Sequence, residues 1–254
     1  MVAEKVLGSK SVIVCGDSFM SPSAVEGYQG THFSEIFATN LNYNLIAYSC
    51  GAMGNGGIAV QIETAIKDCP DFILIGTTFH TRYEWPFRSV GSVDSISIDN
   101  LLYINVSSIS TKYPWINKNS FMNSAPILEA LSDFEPLFKF DQNKQERKAA
   151  LQSYFKYLYH DDWKQQIDYW ILYATLHKLE TSGIPYFLVI DHYKEEGIQL
   201  PWLTERNNLW PKVREIFQHD SRYEIDPGYH SSTHCQQEIA NLLLKSLVRE
   251  KTHV

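Results

Sequence analysis

The sequence predicts an α/β fold, a three-layer α/β/α sandwich built around a parallel sheet of about five strands. Short apolar runs at residues 11–14, 45–48, 72–75 and 186–190 have the length and composition of strands, and the first, which is β-branched, is expected to be buried. Apolar residues at helical spacing lie between these runs, and glycine-containing loops follow the first three of them. This alternation indicates right-handed βαβ crossovers, in which the strands lie parallel.

Composition limits the class of protein and of partner. The chain has 254 residues, 44% of them hydrophobic, and we interpret residues 1–254 as a single domain with a sizeable core. The formal charge is −7 and no Lys/Arg cluster stands out, which argues against a nucleic-acid partner. No two of the four cysteines lie at metal-ligand spacing, and Cys15 and Cys69 are expected to be buried, reduced thiols. Trp163 and other aromatics are expected in the core rather than on a sugar-binding surface.

The N-terminal residues and the hydropathy pattern indicate where in the cell the protein is expected. Residues 1–5 lack the charged start and long apolar run of a secretory signal, and no stretch reaches the length of a membrane span. We therefore expect a cytoplasmic protein without a membrane partner. The sequence gives no indication of the oligomeric state.

The first strand leads into Cys15-Gly16-Asp17-Ser18-Phe19, the stretch on which the functional prediction depends. Gly16 allows a tight turn at the strand exit, and Ser18 then lies where a following helix would offer free backbone N–H groups. A serine at such a strand-to-turn corner is how α/β folds expose a nucleophile. The alternative is that Asp17 and Ser18 only cap a turn.

The next elements keep the strand, loop and helix order. Thr31 is expected to cap a helix that ends near Asn42. The second strand enters the glycine-rich segment 50–57, after which isoleucines repeat at helical spacing. Because loops at the carboxyl ends of parallel strands share one edge of the sheet, Ser18, the glycine loop and residues 77–84 are expected to meet there.

Residues 86–146 interrupt this pattern and are interpreted as an irregular insertion after the third strand. Helix signals resume over residues 151–179, Gly183 is expected to end that helix, and the fourth strand follows. A short strand at 223–225, a turn and a closing amphipathic helix complete the predicted fold.

Three of these segments carry the residue types that nucleophilic acyl transfer needs. That chemistry uses a hydroxyl, an imidazole that takes its proton, a carboxylate that orients the imidazole, and donors for the oxyanion. Ser18 ends the first strand, while Asp226 and His230 lie just before the closing helix. Gly51 could lend a backbone N–H group, and Thr78 a hydroxyl.

These segments resemble the motifs of the SGNH (GDSL-type) hydrolase family. Gly16-Asp17-Ser18-Phe19 is similar to the first motif, which carries the nucleophile, and residues 51–55 resemble the glycine loop that supplies an oxyanion donor. Residues 230–240 resemble the last motif, in which the catalytic His precedes an Ile-Ala pair on the closing helix. The resemblance implies an SGNH, flavodoxin-like fold with Ser18 as nucleophile, His230 as general base and Asp226 as the orienting carboxylate.

Two positions depart from the family pattern. The family's Asp usually lies three residues before the His, where this chain has Pro227, and Asp226 lies four before. Thr78 stands where the third motif has an Asn, and its hydroxyl is a shorter donor with a single proton. With Arg82 and Glu84, this third segment is more similar to a phage and marine-environment branch of the superfamily.

The resemblance implies serine-dependent hydrolysis or transfer of a short-chain or O-acetyl ester through an acyl-enzyme intermediate. The substrate would be a small-molecule or carbohydrate ester, and no metal or organic cofactor is needed. The oxyanion hole is expected from the N–H groups of Ser18 and Gly51, with Thr78, Gly54 and Asn55 as further candidates. The alternative is a catalytically degenerate binding module on the same fold, favoured by the two departures.

Other polar residues near this edge have less defined roles. Asp17, Arg82 and Glu84 are candidate substrate contacts, although Arg82 and Glu84 could instead pair with each other. His234 is interpreted as a surface residue of the closing helix, because no ligand cluster accompanies it and His230.

Overall fold

The computed structural model describes residues 10–22, 32–50, 53–79, 82–86, 101–105, 146, 149–150, 153, 157–158, 160–193, 197–220 and 231–251. Several predicted features lie outside these residues. They are Gly51, most of the 86–146 insertion, the strand at 223–225, Asp226 and His230.

Four of the six described strands form one parallel sheet. The strands are β1 (Ser11–Cys15), β2 (Asn44–Ala47), β3 (Phe72–Thr77), β4 (Arg82–Pro86), β5 (Leu101–Asn105) and β6 (Tyr186–Asp191). The sheet order is β2-β1-β3-β6, and all three pairings are parallel. The predicted parallel α/β sheet is confirmed. Its described part has four strands, and the prediction of a further strand at 223–225 lies outside the described residues.

Helices cover both faces of this sheet. They are α1 (Phe33–Leu41), α2 (Asn55–Asp68), α3 (Asp161–Ser182), α4 (Trp210–Gln218) and α5 (Thr233–Lys251). Side chains alternate across a strand, so Val12 and Val14 join the core beneath α1, α4 and α5, while Ile13 and Cys15 join the core beneath α2 and α3. A strand buried on both faces is continuously apolar, which is why these runs were recognisable in the sequence.

The cap of α1 differs from the prediction. His32, not Thr31, is the N-cap residue, and its ring Nδ1 accepts the backbone N–H of Ser34. The Glu35 carboxylate accepts the N–H of His32, which completes a capping box. An imidazole nitrogen with a lone pair can therefore replace the usual hydroxyl or carboxylate cap. The predicted end of the helix is confirmed, since Asn42 caps it in the left-handed conformation.

An antiparallel pair, β4 with β5, occupies part of the chain that was predicted to be loop and irregular insertion. Arg82 lies opposite Asn105 and Glu84 opposite Tyr103 in its register. β4 contains Tyr83 and Trp85, and β5 contains Tyr103 and Ile104, which are residue types that favour strands. The polar–aromatic alternation of β4 and the apolar run of β5 each extend over only four residues, which is a weak signal for a strand.

Two predictions about burial are wrong. Trp163 is 55% exposed and contacts Trp170, which is 51% exposed, because both lie on the outer face of α3. Cys69 is exposed, since it caps the solvent end of α2 in the left-handed conformation. Cys15 is buried as predicted, and burial raises the pKa of its thiol. Among the described helices, none is both long and apolar enough to cross a membrane.

Candidate active site

The chain segments that leave β1, β2, β3 and β6 lie together at the carboxyl edge of the sheet. The N–H of Cys50, after β2, donates to the carbonyl of Gly16, after β1, at 3.1 Å. The ring of Phe79, after β3, stacks on that of His192, after β6, with centroids 4.9 Å apart. This edge is therefore the place where the predicted site residues within the described chain converge.

The stretch after β1 forms a tight turn that leaves one side chain open. Ser18–Met20 is a single turn of 3₁₀ helix, and the Asp17 carboxylate caps it by accepting the N–H of Phe19 at 2.9 Å. Residues 15–20 are buried except Ser18, which is half-buried. The predicted turn is thus present, and Ser18 is the residue that it presents to solvent.

Gly16 is required by this geometry. Its φ of +151° lies in a region that side chains rarely adopt, and a Cβ there would lie 2.4 Å from Met20 Cγ. Gly76 at the end of β3 meets the same methionine, with Met20 Cγ 2.4 Å from its would-be Cβ. The two glycines let the Met20 side chain fill the space between β1 and β3.

Side chains from three other elements hold the backbone of the turn. Gln61 of α2 accepts the N–H of Gly16 at 2.6 Å, and the Ser49 hydroxyl donates to the Met20 carbonyl at 3.1 Å. His32 Nε2 lies 3.1 Å from the carbonyl of Phe19. Buried backbone groups are costly to leave unpaired, so these contacts fix the position of Ser18.

A buried network joins the turn to the end of β3. The Thr78 hydroxyl donates to Asp17 Oδ2 at 2.8 Å. The Asn55 amide pairs with the backbone of Thr78 on both sides, accepting its N–H at 3.0 Å and donating to its carbonyl at 2.8 Å. Asn55 also donates to Asp168 Oδ2 of α3 at 3.0 Å. All four side chains are at most 1% exposed.

An ion pair inside the protein ends this network. Lys164 Nζ lies 2.5 Å from Asp168 Oδ1, one helical turn away in α3, and the two side chains are 9% and 1% exposed. Buried charges are tolerated when they are paired and hydrogen-bonded. Through Asp168 the pair gives α3 a polar contact with Asn55 at the start of α2. The rest of this face of α3 packs on the core.

These bonds define what Thr78 and Asn55 can offer a substrate. The single hydroxyl proton of Thr78 is donated to Asp17, and Asn55 has donated its N–H groups to Thr78 and Asp168. Thr78 could serve an oxyanion only by releasing Asp17. Its predicted role as an oxyanion donor, and that of Asn55, remain predictions. Gly54 is buried and caps α2 with its backbone.

Asp191 and His192, at the end of β6, belong to a packed loop. Asp191 accepts the Thr77 hydroxyl at 2.5 Å and the N–H groups of Tyr193 and Ile198. Burial raises the pKa of Asp191, while these hydrogen bonds oppose that rise. Asp191 thus ties the loop after β6 to the end of β3.

The ring of His192 lies within an aromatic cluster. Phe19 and Trp210 meet it edge-on, with centroids 4.7 and 5.1 Å away, and Phe79 stacks on it. Phe79 is 41% exposed, so the cluster reaches the surface at the same edge as Ser18. Such contacts hold the turn after β1 against the turn after β6.

Hydrogen bonds hold the described residues on either side of 221–230, the range that includes Asp226 and His230. Asp220 accepts the N–H of Ser232 at 2.6 Å, and the Gln236 amide donates to the Ser231 hydroxyl at 2.7 Å. His234 lies on the exposed surface of α5, 3.6 Å from Glu238, as the sequence predicted.

The roles predicted for the remaining site residues stay predictions. Gly51, Asp226 and His230 are outside the described chain, and Arg82 and Glu84 are described only as backbone positions of β4. No group of three His, Cys, Asp or Glu side chains in the described ranges could hold a metal ion.

Five side chains that support this site were missed in the sequence: Gln61, His32, Asp168, Lys164 and Gln236. The i, i+4 spacing of Lys164 and Asp168 was a visible signal, but it is typical of exposed helix faces. The others act through partners distant in sequence, such as Gln236 with Phe33.

Comparisons with known proteins were made against families, curated proteins and solved structures. No family model matches the chain, and no curated protein matches it. Among the solved structures, one similar chain is described as "a putative lipolytic protein of G-D-S-L family from Desulfitobacterium hafniense DCB-2". The match covers 94% of this chain and 99% of that one, at 6% identity and a TM-score of 0.32.

Proposed function

We propose that the protein is a serine-dependent hydrolase or transferase of acyl esters, with short-chain or O-acetyl esters as substrates. The observation that supports this most is the accessibility of Ser18 on an otherwise buried turn. The turn is held by hydrogen bonds from Asp17, Gln61 and His32 at the edge of the sheet where α/β proteins bind ligands. A pre-positioned hydroxyl in such a site is suited to nucleophilic attack.

In this proposal Ser18 attacks the ester carbonyl and His230 takes the hydroxyl proton, with Asp226 orienting the imidazole. The imidazolium then protonates the leaving alcohol. Water, or an acceptor alcohol in a transferase, attacks the resulting acyl-enzyme and restores Ser18. The hydrogen bonds at Asp220 and Ser231 support this assignment, because they fix the described residues that flank His230 and Asp226 in the sequence.

The proposed oxyanion donors are the backbone N–H groups of Ser18 and Gly51. Gly51 directly follows Cys50, whose own N–H donates to Gly16 in the loop before Ser18. Backbone donors of this kind need no side-chain amide, which would make the replacement of the family's Asn by Thr78 compatible with activity. Asp17, which is buried and bonded within the turn, is better suited to positioning than to contact with substrate.

The first test is ester hydrolysis by wild type and by Ser18→Ala. A panel of p-nitrophenyl esters of increasing acyl length should show turnover that is highest for short chains. Ser18→Ala should lower kcat on the order of 10⁴-fold or more, since only binding and the oxyanion hole remain. Ser153→Ala, at an exposed position, is the matched control and should not change kcat.

Two outcomes contradict the proposal in different ways. Full turnover by Ser18→Ala would show that another group is the nucleophile. Absence of turnover across the panel, together with saturable binding of an ester, would favour the binding module on the same fold.

A further inference from the structure

We propose that His32 is a positioning residue for Ser18, and that the start of α1 couples the turn bearing Ser18 to the start of α5. This inference rests on the proposed function and deepens it, because it assigns a role in catalysis to a residue outside the motifs. His32 is buried, with 6% of its surface exposed.

The hydrogen bonds of its ring define a single tautomer. Nδ1 accepts the backbone N–H of Ser34 at 3.3 Å and also lies 2.7 Å from the Ser34 hydroxyl. A nitrogen that accepts an N–H carries no proton, so the proton of the neutral ring is on Nε2. Nε2 can then donate to the carbonyl of Phe19 at 3.1 Å.

This donation completes the restraint of the residue next to Ser18. Asp17 accepts the N–H of Phe19, and His32 binds its carbonyl, so both backbone polar groups of Phe19 are bonded to buried side chains. Small errors in the position of a nucleophile have large effects on rate, since the reacting atoms must approach within a narrow range of distance and angle. The His32 contact acts on the backbone that carries the Ser18 hydroxyl.

The start of α1 also contacts the start of α5, the helix that follows the proposed base in the sequence. The N–H of Phe33, next to His32, donates to Gln236 Oε1 of α5 at 2.8 Å. The Nε2 group of Gln236 donates in turn to the hydroxyl of Ser231, the residue after His230. Gln236 and Ser231 are 4% and 1% exposed, so water does not compete freely for these bonds. The start of α1 is thus hydrogen-bonded both to the turn that carries Ser18 and to the start of α5.

Two substitutions separate the cap of α1 from the contact with the turn. His32→Asn keeps an oxygen near the position of Nδ1, which can cap α1, but its amide is too short to reach Phe19. His32→Gln places an amide nitrogen near the position of Nε2 and lacks the cap acceptor. If His32 positions Ser18, kcat should fall about 10- to 100-fold in His32→Asn and stay within a few-fold of wild type in His32→Gln.

The measurements are kcat and KM for a short-chain p-nitrophenyl ester, the rate of Ser18 labelling by a fluorophosphonate, and thermal unfolding. KM should change little in His32→Asn, and its labelling rate should fall with kcat. Unfolding temperature should fall more in His32→Gln than in His32→Asn. A merely structural role predicts the opposite pattern, in which activity follows the unfolding temperature in both variants.

Gln236→Leu provides a second route to the same result. It removes both hydrogen bonds of the side chain and should lower kcat. The double variant with His32→Asn should lose less than the product of the two single losses, because both act on one coupled arrangement. A wild-type kcat in a folded His32→Asn variant would overturn this inference but not the proposed function. So would a double variant whose loss of kcat equals the product of the two single losses. A wild-type protein with neither turnover nor labelling would overturn the proposed function as well.

Discussion

Thr78 shows at the scale of one residue how this site differs from the pattern that its motifs resemble. Its hydroxyl donates to Asp17, and its backbone is held on both sides by Asn55. The residue thereby connects the turn after β1 to the end of β3 through buried hydrogen bonds. We expect it to influence Ser18 by holding Asp17 in place.

Thr78→Val tests that role, because it preserves the shape of the side chain and removes one donor to the buried Asp17 carboxylate. Loss of a buried hydrogen bond of this kind should lower the free energy of unfolding by about 1–3 kcal/mol. It should also lower kcat with little change in KM. Urea unfolding and steady-state kinetics measure the two effects.

Thr78→Ser is the matched control, since it keeps the hydroxyl. Its kcat should stay within a few-fold of wild type. If Thr78→Val and the wild type have equal kcat and equal stability, the hydrogen bond from Thr78 to Asp17 contributes to neither activity nor folding.

At the scale of secondary structure elements, α3 is joined to the site by charge as well as by packing. Leu172, Leu176 and Leu179 bury its inner face against the sheet, while Lys164 and Asp168 extend that face as a buried ion pair. Asp168 reaches Asn55 at the start of α2. This arrangement makes the first turns of α3 part of the support for Thr78.

Breaking the pair should be more harmful than removing both charges. Lys164→Met leaves a buried carboxylate without its ion-pair partner, which typically costs about 3–5 kcal/mol. In Lys164→Met with Asp168→Asn, no charge remains and the new amide oxygen can still accept from Asn55. The double variant should therefore be more stable than Lys164→Met alone.

The measurement is a double-mutant cycle. Urea unfolding gives the stability of the wild type, Lys164→Met, Asp168→Asn and the double variant. If the two losses of stability simply add, the charges do not interact, and the ion pair is not what holds α3 to α2.

At the scale of the whole molecule, the local patterns of the sequence predicted the sheet and its edge. The strands could be found because each is a short apolar run, and their shared edge follows from parallel connections. The same patterns could not reveal that Asn55 pairs with Asp168, 113 residues away, because no periodicity links two such positions. His32 was missed as a cap because histidine is an uncommon N-cap residue. β4 and β5 were missed because their strand patterns extend over only four residues each.

The central claim for the molecule is that the carboxyl edge of the parallel sheet presents Ser18 as a nucleophile. The described residues support the presentation of the hydroxyl, while Asp226, His230 and Gly51 complete the site in the proposal. A covalent probe tests the claim without knowledge of the natural ester, since a fluorophosphonate reacts with a serine only where a base and oxyanion donors activate it.

The decisive measurement is intact-mass analysis of the wild-type protein after fluorophosphonate treatment, followed by peptide mapping of the adduct. We expect one adduct per chain, located on Ser18, and none in Ser18→Ala or His230→Ala. His234→Ala should label like wild type, because its exposed ring lies on the surface of α5. An unlabelled wild-type protein, or an adduct on a residue other than Ser18, would contradict the account.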